Sequence, residues 1–184
     1  MLPINHSARG FYRIDIQALK GLDKETLEIV KHINSTWSDI EYLHFLFHKV
    51  FGSLSDDREV GHTFSALVVY SETFYVHLSI LSKLLEQLSK KNDLVERLYK
   101  GNKHILKRID EIRNTIIVHK EKPNFKRVHG SISATDPEHL IEHRIATTDH
   151  KGKAKNIVLK PIRDINLLYK IIQNVEHLLL SEVE

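Results

Sequence analysis

Apolar residues recur at steps of three and four through four long segments, and this period restricts the chain to a helical fold. Val30, Ile33, Trp37, Ile40, His44, Phe47 and Phe51 form the first stripe. They predict a helix or broken helix pair over about 23–51, ended by Gly52. Asp56, with Glu59 three residues on, has the form of an N-cap for the next helix. Its stripe runs Val60, Phe64, Leu67, Ser71, Phe74, Leu78, Leu81, Leu85 and Leu88, to about 90, or about nine turns at 3.6 residues each. Asn92 is placed to cap a third helix. Leu94, Leu98, Ile105, Ile109, Ile112 and Ile116 carry it to about 121, where Pro123 stops it. A fourth follows Pro161 through Ile165, Leu168, Ile172, Val175 and Leu179.

Long helices joined by short links favour an antiparallel bundle. The expected class is therefore all-α, one domain over 1–184 with an insert at 123–161, where the period lapses. In that insert 144–148 and 156–159 flank a Lys151-Gly152 turn, the pattern of a small β-hairpin. The segment FYRIDI, 11–16, alternates and reads as a short strand or an extended arm. No apolar run approaches a membrane span, and MLPINHSARG lacks a secretory signal. Zero cysteines exclude disulfides and thiolate metal sites. The expectation is a cytoplasmic protein with no membrane partner.

Net charge is +3, but it is unevenly placed. Residues 1–112 carry 15 Lys/Arg and 15 Asp/Glu, whereas 113–163 carry 11 against 5, a net of +6. A local basic block is the footprint expected for a polyanion. It begins at RNTIIVHKEKPNFKR, 113–127, near the end of the third helix. There Ile109, Ile112, Ile116 and His119 continue the apolar stripe. Arg113 and His119 lie about 120° apart at helical geometry and straddle a face that also holds Ile117. An arginine on such a face implies a partner surface. Asn114 spends helix propensity for no evident cap. Lys120, Lys122, Lys126 and Arg127 surround the helix end with charge suited to phosphate.

An Arg-Asn pair followed by His119, late in a long helix of a small α bundle, resembles the catalytic motif of HEPN domains (higher eukaryotes and prokaryotes nucleotide-binding). The likeness covers roughly 23–121 and 162–183; the insert has no counterpart in it. Two other pairs have comparable spacing, Arg97/His104 and Arg144/His150. The first spans Gly101 and lacks a polar residue after the arginine; the second falls in the insert.

What the resemblance implies is a metal-independent ribonuclease without a cofactor, acting on RNA such as tRNA. It also implies a homodimer paired through the Arg113/His119 face, and a toxin or phage-defence role with a cognate antitoxin. The chemistry suits the residues. The RNA 2′-hydroxyl attacks the phosphate, so a base must remove its proton and an acid must protonate the leaving oxygen. Histidine can do either. An arginine fork can hold the phosphate and the charge that builds on it. On this reading Arg113 and Asn114 orient the phosphate, His119 moves the proton, and Lys120, Lys122, Lys126 and Arg127 hold the RNA. The alternative within the family is a catalytically silent dimeric module that binds RNA, nucleotide or a protein partner.

Two further patterns compete. His139-Leu-Ile-Glu142-His143 matches the inverted zinc-protease motif, but on a strand its side chains would diverge, and zinc needs a third ligand. His44 and His48 share a one-turn spacing, but His44 sits within the core stripe between Ile40 and Phe47 and is expected to pack there.

Overall fold

The computed structural model describes residues 12–52, 60–119, 126–128, 143–148 and 154–183. It is an all-α bundle of four helices: α1 (Lys24–Gly52), α2 (Val60–Ser89), α3 (Asp93–His119) and α4 (Pro161–Leu180). A three-stranded antiparallel sheet lies between α3 and α4 in the chain, with β1 (Lys126–Val128), β2 (His143–Thr148) and β3 (Ala154–Leu159) in that order. The expected hairpin is β2–β3, paired from His143↔Leu159 to Thr148↔Ala154. β1 adds an edge strand through Arg127↔Ile145 that the sequence pattern did not announce.

Local chemistry accounts for the starts of three helices. Asp23 caps α1: its Oδ1 accepts from the backbone N–H of Glu25 at 2.9 Å and of Thr26 at 3.1 Å. Asn92 caps α3 as expected, accepting from the Val95 N–H at 2.8 Å. Pro161 is the first residue of α4, where a missing N–H costs nothing. The candidate cap Asp56 lies outside the described residues.

The core fills from the predicted stripes: Trp37, Phe47, Phe74, Leu81, Ile109, Leu168 and Leu179 are all fully buried, and so is Tyr75, which the second stripe did not include. Trp37 stacks on Tyr169 at 5.7 Å between ring centroids, while Gly21 packs against Val183. These contacts set α4 antiparallel to α1. Truncating one such large aliphatic to alanine costs about 2–5 kcal/mol.

The segment 12–15 is an arm rather than a strand, because side chains supply its hydrogen bonds. Asn34, buried in α1, accepts from the Ile14 N–H at 2.9 Å and donates to the Ile14 carbonyl at 3.0 Å. Glu41 accepts from the Tyr12 N–H at 3.1 Å, and Glu176 accepts from the Tyr12 hydroxyl and from the Asp15 N–H. Burial pushes the Glu41 carboxyl above its usual range, and burial followed by the Glu176 carboxylate pushes the Tyr12 phenol up. The arm thereby ties α1 to α4.

One polar network crosses the core. Asp164 has no exposed surface. Its Oδ2 accepts from the Tyr75 hydroxyl at 2.6 Å, and its Oδ1 meets Arg108 Nη1 at 2.8 Å. The Tyr75 oxygen in turn accepts from the Lys160 N–H at 2.9 Å. Burial first, then the Asp164 carboxylate, push the Tyr75 phenol well above its ordinary value, so it remains a donor. Arg108→Ala leaves a buried carboxylate without its cation and is expected to cost on the order of 3 kcal/mol. Tyr75→Phe should cost about 1–2 kcal/mol. Urea denaturation of both variants checks the order, and a smaller loss for Arg108→Ala contradicts it.

Candidate functional site

α3 carries the motif in its last two turns. Arg113 is partly buried and Asn114 is exposed. The Arg113 Nη1 donates to the Asn114 Oδ1 at 3.0 Å. Neighbours in sequence on a helix point about 100° apart, so this contact needs the arginine to bend back along the surface toward Asn114. The asparagine that lacks a capping role thus accepts one hydrogen bond from the guanidinium. His119 is the last residue of α3. It follows Arg113 by six residues, about 9 Å along the axis at 1.5 Å per residue.

The apolar face beside Arg113 is used by the fold itself. Ile109 is 0% exposed and Ile112 is 3% exposed within this single chain. At those two positions the stripe needs no second chain to cover it, which removes part of the sequence-based reason for a partner on that face. The physical cause is that α2 and α4 both pack on α3. Ser79 donates to Asp110 at 2.6 Å on one side, and Arg108 meets Asp164 on the other. Thr115, between Arg113 and His119, is also buried and returns its hydroxyl to the Glu111 carbonyl at 2.8 Å.

The four candidate RNA-binding cations divide. Lys120 and Lys122 lie outside the described residues. Lys126 and Arg127 belong to β1, opposite Ala146 and Ile145 of β2. They are therefore residues of a strand and not of α3.

The rival constellations stand differently. His143 opens β2 and so lies on a strand; His139 and Glu142 lie outside the described residues. Among the described residues no three His, Asp or Glu side chains gather as a metal site. His44 is buried in α1, as its place in the core stripe implied, and its Nε2 lies 3.0 Å from that of His48. No helix of the described residues is long and apolar enough to cross a membrane.

Sequence reasoning missed the Tyr75–Asp164–Arg108 network. The available signal was Asp164 at the start of an apolar stripe, one residue before Ile165 and four before Leu168. A carboxylate there must find a partner or be expelled. The chain matches no protein-family model, no curated protein and no solved structure.

Because the Arg113–Asn114 contact is at the surface, Asn114→Ala should change stability by only a few tenths of a kcal/mol, and toward gain, since alanine is the better helix former. Guanidinium NMR should show faster Nη rotation of Arg113 in that variant. Unchanged rotation would mean that Asn114 does not hold it.

Proposed function

We propose that this chain is a metal-independent endoribonuclease of HEPN type that acts on RNA. The observation that supports it is the Arg113–Asn114 hydrogen bond on the partly exposed surface of late α3, with His119 ending the same helix. A fixed arginine fork is the group expected to hold a phosphodiester and the charge of its pentacoordinate transition state. A histidine provides a neutral base and a cationic acid near pH 7.

The proposed sequence is as follows. Arg113, steadied by Asn114, grips the scissile phosphate. His119 removes the 2′-hydroxyl proton, and the resulting oxygen attacks phosphorus. The 5′-oxygen leaves with a proton, and a 2′,3′-cyclic phosphate remains. One chain offers a single His119. A homodimer that brings two copies of the α3 end together would supply a base and an acid at once. On this reading the partners are RNA, a second copy of the chain and a cognate antitoxin, in a cytoplasmic toxin or defence role. No metal or cofactor enters the steps.

Purified protein is incubated with total tRNA in EDTA beside His119→Ala and Arg113→Ala. Wild type should cut. Each variant should lose about 10²–10⁴-fold, the usual scale for a general acid–base group or a charge-stabilising donor. Equal cutting by all three overturns the assigned residues. Binding of tRNA without cleavage by wild type would instead favour the catalytically silent module.

A further inference from the structure

We propose that the outward face of α2, from Val69 to Ile80, is the surface on which two copies of this chain pair. The pairing is argued from α2 itself; only its consequence for the candidate site rests on the ribonuclease reading above.

Val69, Thr73, Val76 and Ile80 step by four, three and four along α2. At 100° per residue they fall within an arc of about 60°, in a stripe about 17 Å long. None belongs to the core. Val69 is 55% exposed and Ile80 44%, the most exposed large aliphatic side chains among the described residues. Thr73 donates its hydroxyl to the Val69 carbonyl at 2.8 Å, which leaves its methyl for a neighbour. All four residues are β-branched. On a helix face open to water such residues give up helix propensity without a core to fill. Their stiff side chains lose little rotamer freedom when another surface covers them.

The charge pattern sets the kind of partner. Between Val60 and Ser82 the one Asp, Glu, Lys or Arg in the sequence is Glu72, and it is buried. The outward faces of the other helices carry ions, such as Lys31 on α1, Lys107 on α3 and Lys170 on α4. A face without ions offers no complement to a nucleic acid or a charged segment, and it matches a face of its own kind. Its spacing also reads the same in both directions. A two-fold axis midway between residues 74 and 75 sets α2 antiparallel to its copy. Val69 then lies opposite Ile80 of the second copy, and Thr73 opposite Val76. The first charge past the stripe is Lys83, and its two copies stand about 26 Å apart along the seam. Self-pairing uses this symmetry; an unrelated partner has no need of it.

α3 shares in the contact. Ser79 donates to Asp110 at 2.6 Å, which sets the two antiparallel helices level there. Counted from that bond, residues 74–75 of α2 are level with 114–115 of α3. Ser79 lies about 90° round α2 from the stripe, so α3 flanks the seam. The axis therefore keeps both α3 helices on one side of the seam and runs at the height of Asn114, which accepts from Arg113. The stripe alone, about 17 Å by a helix width of about 10 Å, falls well short of the roughly 800 Å² per partner of a standard interface. The adjoining α3 surface has to contribute, and the expected dimer is of micromolar strength. On the ribonuclease reading, this pairing sets two Arg113–Asn114 pairs at one height, as a dimeric site requires.

The test is sedimentation velocity of the full chain from low to high micromolar concentration. Wild type should pass from monomer to dimer. Val76→Glu, which puts a carboxylate on each side of the axis, should weaken pairing about tenfold or more and leave the helical circular dichroism unchanged. Lys170→Glu, on α4, should pair like wild type. The chain has no cysteine, so introduced cysteines report the register. An oxidised mixture of Val69→Cys and Ile80→Cys should give a cross-linked dimer. Val69→Cys alone should not, because its two copies stand about 17 Å apart along the seam. A wild type that stays monomeric, a dimer that Val76→Glu leaves intact, or a mixture that fails to cross-link overturns the surface. If the dimer forms as described and wild type never cuts tRNA, the interface stands and the ribonuclease reading falls. If wild type cuts tRNA as a monomer, the interface falls and the chemistry stands.

Discussion

A carboxylate with no exposed surface has to be satisfied from within, and Asp164 is satisfied from two helices at once. Tyr75 of α2 donates to one oxygen and Arg108 of α3 to the other, while Asp164 itself belongs to the first turn of α4. Losing the cation leaves a buried charge, which is far costlier than any surface pair. Three helices are therefore held at one height. The Tyr75 oxygen also accepts from Lys160, the residue between β3 and α4. The exit of the inserted sheet is pinned by the same atoms. What α3 presents relative to α2 and α4, including the Arg113–Asn114 pair, inherits its position from this network.

The opposite side of the bundle is tied differently. The arm at 12–15 runs between α1 and α4 and takes its hydrogen bonds from Asn34, Glu41 and Glu176. Aromatic packing of Tyr12 and Trp37 on Tyr169 fills the space beneath it. Such aromatic pairs add about 0.5–1.5 kcal/mol beyond their buried area.

The helices were legible because a 3.6-residue period survives any tertiary context. Asn92 as a cap and Pro161 as a first helical residue were legible for local reasons, as was the β2–β3 pairing around Lys151-Gly152. The alternation in FYRIDI could mean strand or arm. Only the buried Asn34 side chain, twenty positions away in sequence, decides for the arm. Asp164 with Arg108 was not legible, since nothing local joins residues fifty-six apart. At the candidate site, Asn114 is visible in the sequence as an oddity, and in the structure it accepts a hydrogen bond from Arg113.

The central claim is that late α3 performs 2′-hydroxyl chemistry through Arg113, Asn114 and His119. Its most direct test is the chemistry of the cut ends. RNA fragments produced in EDTA are analysed by mass spectrometry, alongside a substrate with a single 2′-deoxy residue at the cleaved position. The account predicts 2′,3′-cyclic phosphate and 5′-hydroxyl ends, and no cutting at the deoxy position. Ends bearing 3′-hydroxyl and 5′-phosphate, or cleavage that ignores the missing 2′-hydroxyl, would contradict it.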